Sequence, residues 1–325
     1  MQSLDLDVLE SALAWQREGR RVWLVTVTQT FGASPRPPGS LLAMRDDGIL
    51  VGSVSGGCIE DDLVSRRQEF SGRIPWLVAY GVTSEDARRF GLPCGGQLEV
   101  IVEPEVPAAD LEALLAHIAG GKVVHRRVDL ATGAWSFAPA RPTDACERTP
   151  ERFACIHGPR WRMLIIGASE IAHYLAEVAA TVDFRVFVCD PREEYRTAWR
   201  VPGAELVEGM PDDAVVAFRP DGHSVILAVS HDPKLDDMAL LEALKSEACY
   251  VGAVGSKQTS AERRKRLAHF DLSAREIARL RGPVGLAIGS RTPPEIAVAI
   301  LADFIAARNG VVLERMDAAA SRLTA

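Results

Sequence analysis

The sequence predicts an α/β protein of two domains: a mixed α/β N-terminal domain over residues 1–138, a connecting stretch at 139–160, and a parallel-sheet domain over 161–325. Three observations carry this. The chain has 325 residues, against ~150 for a typical domain. Residues 139–160 hold four prolines, mixed charge and little periodicity, the composition of a linker. From Arg162 onward, apolar runs at 163–167, 184–189, 205–207, 224–229 and 249–254 alternate with helical stretches. That rhythm belongs to βαβ units and a parallel sheet.

In the first half, Leu4, Val8, Leu9, Ala12, Leu13 and Trp15 recur mostly at helical spacing, and Gly19 stops the helix. Val22 to Thr28 is a β-rich run. The segment ASPRPPGS (33–40) holds three prolines, so it is a shaped loop. Strands near 40–45 and 49–54 are joined at Asp47-Gly48, a turn signal. A helix begins near Cys58, strands are expected at 74–80 and 97–103, and a helix at 109–118.

Composition narrows the function. With 47% apolar and 25% charged residues the chain is an ordinary globular sequence. A net charge of -7 argues against nucleic acid as the main partner. No apolar run approaches the roughly eighteen residues of a membrane span. MQSLDLDVLE is acidic where a signal peptide is basic and then apolar, so a cytoplasmic location is expected. The six cysteines, at 58, 94, 146, 155, 189 and 249, form no CxxC, and no His pair has zinc-ligand spacing. They read as free thiols.

In the second half, MLIIGASEIAHYLAEVA (163–179) runs from a buried strand through a glycine turn into a helix. RVFVCDPREEY (185–195) then ends a second strand at Asp190. This is the layout of a Rossmann-like βαβ unit, with the acid placed for a ribose hydroxyl. Gly167 fills the first glycine position and Ala172 the third, but Ser169 occupies the second, where a side chain crowds a pyrophosphate. Glu170 adds negative charge at the helix N-terminus. Two readings stand: a dinucleotide site, or a glycine that only turns the chain before a capped helix.

SVSGGCIEDDL (53–63) sets Gly56, Gly57 and Cys58 at a helix start, where the dipole favours a thiolate. FGLPCGGQLEV (90–100) repeats the idea with Cys94, Gly95 and Gly96. The plainer reading of both is small buried residues in tight turns. VGAVGSKQT (251–259) is wrongly spaced for a P-loop, yet Gly255, Ser256 and Lys257 follow a strand and suit an anion. SHDPKLD (230–236) puts His231 and Asp232 at the C-terminal rim of the sheet, where open α/β folds bind ligands. RRKR (263–266) reads as a solvated helix face. Thr292, Pro293 and Glu295 read as N-cap, N1 and N3 of a capping box. Ala297, Ile300, Leu301 and Phe304 form its buried stripe, and Asn309-Gly310 its stop. Gly285 and Gly289 are not explained by that helix and imply a close backbone approach.

Taken in order, these segments resemble the XdhC/CoxI family, accessory factors for xanthine dehydrogenase and related molybdenum hydroxylases, over nearly the whole chain. The resemblance implies an XdhC-type N-terminal domain and a chaperone, without turnover of its own, that binds and protects molybdenum cofactor. The cargo would be molybdopterin or its dinucleotide form. It further implies support for sulfuration by a cysteine desulfurase and delivery to an apo molybdenum hydroxylase; for a protein bridging two partners a homodimer is one arrangement on general grounds. Cys58 and Cys94 match the family's glycine-flanked cysteines and become candidates for a molybdenum or sulfur contact. Arg36 is a candidate for the cofactor's phosphate. Asp190 and Arg192 match the family's acidic and basic pair. Gly167-Ala168-Ser169-Glu170 departs from the family's glycine-alanine-glycine-histidine, which counts against any nucleotide or dinucleotide role for the second domain, NAD(P) included. The alternatives are an NAD(P)-dependent oxidoreductase and a docking scaffold.

Overall fold

The computed structural model describes residues 3–32, 36–81, 83, 90, 96–141 and 144–311. The chain divides into two units, Met1–Pro159 and Arg160–Ala325.

In the first unit, α1 (Ser3–Arg17) leads into β1 (Val22–Phe31), β2 (Leu41–Arg45) and β3 (Leu50–Gly52). After α2 (Cys58–Arg66) come β4 (Trp76–Tyr80), β5 (Gln97–Glu103) and α3 (Ala108–Ala119). The five strands form an antiparallel sheet in the order β3-β2-β1-β5-β4. Side chains alternate across a strand, and here both faces are covered. Val22 and Leu24 pack with Val8, Leu9 and Ala12 of α1 and with Leu111 and Leu114 of α3. Trp23, Val25 and Val27 pack with Ile59 and Leu63 of α2. Burial on both sides is why β1 reads as a continuous apolar run.

A second sheet follows: β6 (Val124–Asp129), β7 (Trp135–Pro139), β8 (Glu147–Arg148) and β9 (Arg152–His157), antiparallel in the order β7-β6-β9-β8. Residues 139–160, expected to be a plain connection, therefore carry β8 and β9, paired to the rest of the first unit. Their signal is hidden by charge. On β6 the inward positions are Val124, Arg126 and Val128, so a buried arginine breaks the apolar alternation. Arg126 is fully buried and donates to Glu103 Oε2 (2.7 Å) and Thr26 Oγ1 (2.9 Å), with its guanidinium 4.4 Å from the Trp135 ring centroid.

The second unit runs β10 (Arg162–Ile166), α4 (Glu170–Thr181), β11 (Arg185–Cys189), α5 (Glu193–Ala198), β12 (Ala204–Val207) and α6 (Pro211–Phe218). It continues with β13 (Ser224–Ala228), α7 (Pro233–Ala243), β14 (Tyr250–Ala253), α8 (Lys257–Leu267), α9 (Ala274–Ala278), β15 (Leu280–Arg281) and α10 (Pro293–Arg308). All six strands are parallel, in the order β12-β11-β10-β13-β14-β15. Numbered within the unit, this is the 3-2-1-4-5-6 order of the dinucleotide-binding doubly wound fold. Met163 and Ile165 face α4 and α10. Leu164 and Ile166 face the opposite layer, where α6, α7 and Leu267 of α8 pack. The mixed first half and Rossmann-like second half are as the sequence predicts.

Two expectations about this unit change. Gly285 does permit a close approach, but to α10: a Cβ there would lie 3.2 Å from the Ala299 and Ile300 backbone. The RRKR run is not a solvated face. Arg263 is buried and pairs with Asp236 (2.9 Å) and Asp237 (3.3 Å), and Arg266 pairs with Asp237 (2.7 Å), because positions three apart on α8 both face α7. No helix among the described residues is long and apolar enough to cross a membrane.

Candidate functional site

In the 3-2-1-4-5-6 order the strand order reverses between β10 and β13, the switch point beyond whose C-terminal strand ends open α/β sheets bind ligands. The turn after β10 is forced. Gly167 has φ +97°, and a Cβ on it would lie 2.3 Å from Ser230 Cα, so only glycine lets the two strand ends pass. Ser169 then caps α4: its hydroxyl accepts from the Ala172 amide (3.3 Å) and donates to the Val229 carbonyl (2.9 Å). In the position of the fingerprint's second glycine stands a side chain that ties the β10 turn to the end of β13.

Asp190, at the end of β11, is fully buried. Its carboxylate accepts from the Ala168 amide (2.8 Å), the Arg192 amide (3.0 Å), and Arg192 Nε (2.9 Å) and Nη2 (2.7 Å). Burial opposes its ionisation, but the Arg192 and Ala168 bonds outweigh it and hold the carboxyl below its ordinary value. Both oxygens are engaged by the chain itself. Arg192 in turn lies 3.7 Å from the Tyr195 ring centroid, a cation–π contact.

His231 follows β13 in the left-handed region, with φ +62°. Its loop rests on a buried chain of bonds. Ser230 donates through its amide (3.1 Å) and hydroxyl (2.6 Å) to Asp236 Oδ1, and Asp236 pairs with Arg263. Burial raises the Asp236 carboxyl above its ordinary value. Asp232 caps α7 by accepting from the Lys234 amide (2.9 Å).

These segments and the start of α10 enclose a cleft of about 530 Å³, lined by Ser169, Glu170, Arg192, Tyr195, His231 and Arg291 among others. Small-molecule sites run roughly 300–1,000 Å³. Arg291 is exposed, and its guanidinium makes no hydrogen bond or ion pair among the described residues; its amide donates to Glu295 Oε2 (2.7 Å). Two guanidiniums and a tyrosine ring at one cleft suit a flat ring bearing a phosphate. Of the expected site residues, Arg192 and His231 line this cleft, and Gly167 and Asp190 build it. Gly255, Ser256 and Lys257 follow β14, with Ser256 capping α8 through the Thr259 amide (3.0 Å), and do not line it. Gly289 has φ +82° with open space around it. Tyr195 and Arg291 carry no motif of their own; the one available signal is an arginine just ahead of the Thr292 cap.

The first unit gathers the remaining candidates at one edge of its five-stranded sheet. The register pairs Gly52 with Leu42, Leu41 with Thr26, and Gln97 with Phe31. The end of β3, the start of β2, the end of β1 and the start of β5 therefore share that edge. From it lead the segments bearing Cys58, Arg36 and Gly96. Cys94 and Gly95 lie outside the described residues. Cys58 is exposed at the first position of α2. Its loop is organised by Glu60, a residue that sequence reasoning passes over although it stands three residues beyond Gly57. Oε1 accepts from Ser53 Oγ (2.8 Å) and the amides of Val54 (2.9 Å), Ser55 (2.8 Å) and Gly56 (3.0 Å). Oε2 accepts from the Gly57 amide (2.9 Å) and the Ser55 hydroxyl. Burial pushes this carboxyl up, but the bonds win and hold it at about 2. The Gly56 and Gly57 amides thus face the chain's own carboxylate. Among the described residues, no three His, Cys, Asp or Glu side chains converge to hold a metal ion.

Comparison with known proteins follows this division. Residues 163–304 match the XdhC Rossmann domain, and residues 15–81 match the XdhC and CoxI family. The chain is 26% identical over 318 residues to a Bacillus subtilis (strain 168) protein named as a probable xanthine dehydrogenase subunit, covering 89% of this chain and 94% of that one. It is 26% identical over 312 residues to the Escherichia coli (strain K12) molybdenum cofactor insertion chaperone PaoD, covering 93% and 88%. A crystal structure from Bacillus halodurans, titled a xanthine dehydrogenase, superposes with a TM-score of 0.74 at 27% identity, covering 95% of this chain and 96% of that one. Two matched segments in family order, on the two units that carry the cleft and the Cys58 loop, place the chain in the XdhC and CoxI family.

Proposed function

We propose that this protein is a carrier for molybdenum cofactor, which it binds, protects and passes to an apo molybdenum hydroxylase of the xanthine dehydrogenase type. The observation that carries the reading is the switch-point cleft with Arg192, Tyr195 and Arg291 on its walls. Its size and its pairing of an aromatic ring with guanidiniums fit a pterin bearing a phosphate. The likeness to an insertion chaperone over 93% of the chain supports that choice of cargo. Arg291 meets the phosphate, and Tyr195 with the Arg192 face stacks on the pterin. The first unit offers a separate set of contacts, with Cys58 and Cys94 suited as soft ligands where a cysteine desulfurase supplies sulfur, and Arg36 suited to a phosphate. A nicotinamide dinucleotide fits less well. The 3-2-1-4-5-6 order suits one, but the Ser169 side chain crowds the pyrophosphate approach and Asp190 is engaged by Arg192.

The test is retention. Protein mixed with molybdenum cofactor is desalted, and the retained pterin is oxidised to its fluorescent form and quantified. The wild type should retain it, and Tyr195→Ala with Arg291→Ala should weaken retention about tenfold, ~1.4 kcal/mol. Absence of retained pterin in the wild type, or its displacement by NAD(P), would overturn the carrier reading. Unchanged retention in Cys58→Ala removes only the thiol's part in holding the cargo.

A further inference from the structure

Two cysteines with no part in the carrier reading lie side by side in the first unit. β8 pairs with β9 at Glu147↔Ala154 and Arg148↔Phe153. Continuing that ladder by one residue sets Cys146 opposite Cys155. Directly opposed residues on antiparallel strands have Cα atoms ~4.5–5.5 Å apart, within the span a disulfide bridges. The two sulfurs are 2.6 Å apart. Their surroundings are built around them. Gly39 has φ +95°, and a Cβ on it would lie 2.8 Å from Cys155 Sγ and 3.0 Å from Cys146 Sγ, so the backbone between the proline loop and β2 rests on the pair. On the other side, β6 sets Arg126 opposite Cys155.

We propose that Cys146 and Cys155 are a redox-active dithiol that a peroxide closes to a disulfide and a small-molecule dithiol reopens. The two thiols have different parts. Cys146 is partly exposed and Cys155 is buried, so Cys146 meets the oxidant. The bond from Cys155 draws the Cys146 thiol down against its burial, while its counterpart bond and burial push Cys155 well up. The Cys146 thiolate attacks one peroxide oxygen, forming an S–O bond as the O–O bond breaks, and the departing hydroxide takes up a proton and leaves as water. Cys155 then loses its proton and attacks Cys146 Sγ. The S–S bond forms, the S–O bond breaks, and a second water leaves. Two electrons pass from the thiols to the peroxide. In the return step the small dithiol takes up the disulfide and the two protein thiols are restored.

The full-length protein, reduced and freed of reductant, is treated with hydrogen peroxide, alkylated, digested without reductant and mapped by mass spectrometry. A peptide pair linked through Cys146 and Cys155 should appear, vanish on treatment with dithiothreitol, and be absent from Cys146→Ser. Because the wild-type map is decisive by itself, the proposal stays testable if a variant folds poorly. Oxidation of Cys58 with Cys146 and Cys155 left alkylated would overturn it. So would advance of Cys146 to the sulfinic acid with no linked peptide.

Discussion

Replacing Glu60 by glutamine tests whether the Cys58 loop is held by one buried carboxylate. The side chain takes four consecutive amides and two hydroxyls, and it is 6% exposed. Its carboxyl is held at about 2 against an ordinary 4.5. At 1.36 kcal/mol per pKa unit this corresponds to about 3 kcal/mol of folding stability near neutral pH. Glutamine has the same shape but presents N–H donors where Gly57 already donates, so part of the network is lost as well as the charge. Glu60→Gln should therefore lose about 3 kcal/mol at pH 7. The sign follows from a depressed carboxylate: the stabilisation is complete above about 4.5 and fades as pH falls toward about 2.

Urea unfolding of wild type and variant between pH 7 and pH 3, with hydrogen exchange of residues 54–66, measures this. Trp23 is a local fluorescence reporter, packed with Ile59 and Leu63 and donating to the Phe70 carbonyl (2.8 Å). The gap between the two proteins should narrow through the acid range, and the 54–57 amides should exchange faster in the variant. A variant within about 0.5 kcal/mol of wild type at pH 7, or a gap that ignores pH, would refute the reasoning.

Two further substitutions probe the frame. Gly167→Ala should destabilise the second unit by about 3 kcal/mol or more in chemical denaturation, because its Cβ meets Ser230 Cα at 2.3 Å on a backbone with φ +97°. Glu103→Gln should cost about 3–5 kcal/mol by leaving Arg126 buried without its counter-charge, whereas Glu103→Met combined with Arg126→Met should recover most of that loss in the same assay.

Five of the six strands of the second unit are legible because buried parallel strands read as apolar runs, and each expected run lies within a residue or two of a strand; β15, two residues long, gives no run. In the first unit the same holds from α1 to α3 and then stops. β6 is not legible because its middle inward position is Arg126, an ion held by Glu103 and Thr26 that only the folded chain brings near. β8 and β9 lie among prolines and charges and depend on pairing with β6. RRKR misleads for a related reason: a run of charge in sequence implies exposure, while Asp236 and Asp237 wait on the neighbouring helix.

The candidate site divides along a different line, between positions fixed by the backbone and side chains delivered by the fold. Gly167, Asp190, Arg192 and His231 stand in motifs tied to strand ends and are visible in the sequence. Tyr195 and Arg291 reach the cleft from α5 and from the loop before α10, and no local pattern marks them. More telling is the behaviour of the two glycine turns, which in sequence resemble anion cradles. In each, a carboxylate of the chain occupies the amides: Glu60 takes those of residues 54–57, and Asp190 takes that of Ala168. An arriving phosphate would have to displace a bonded, buried carboxylate from either turn, at the cost of desolvated charge. Recognition of an anionic ligand must then fall to side chains free to meet it. On the proposed reading, the cleft relies for this on Arg291, whose guanidinium makes no hydrogen bond or ion pair among the described residues, ahead of the glycines that shape the turn.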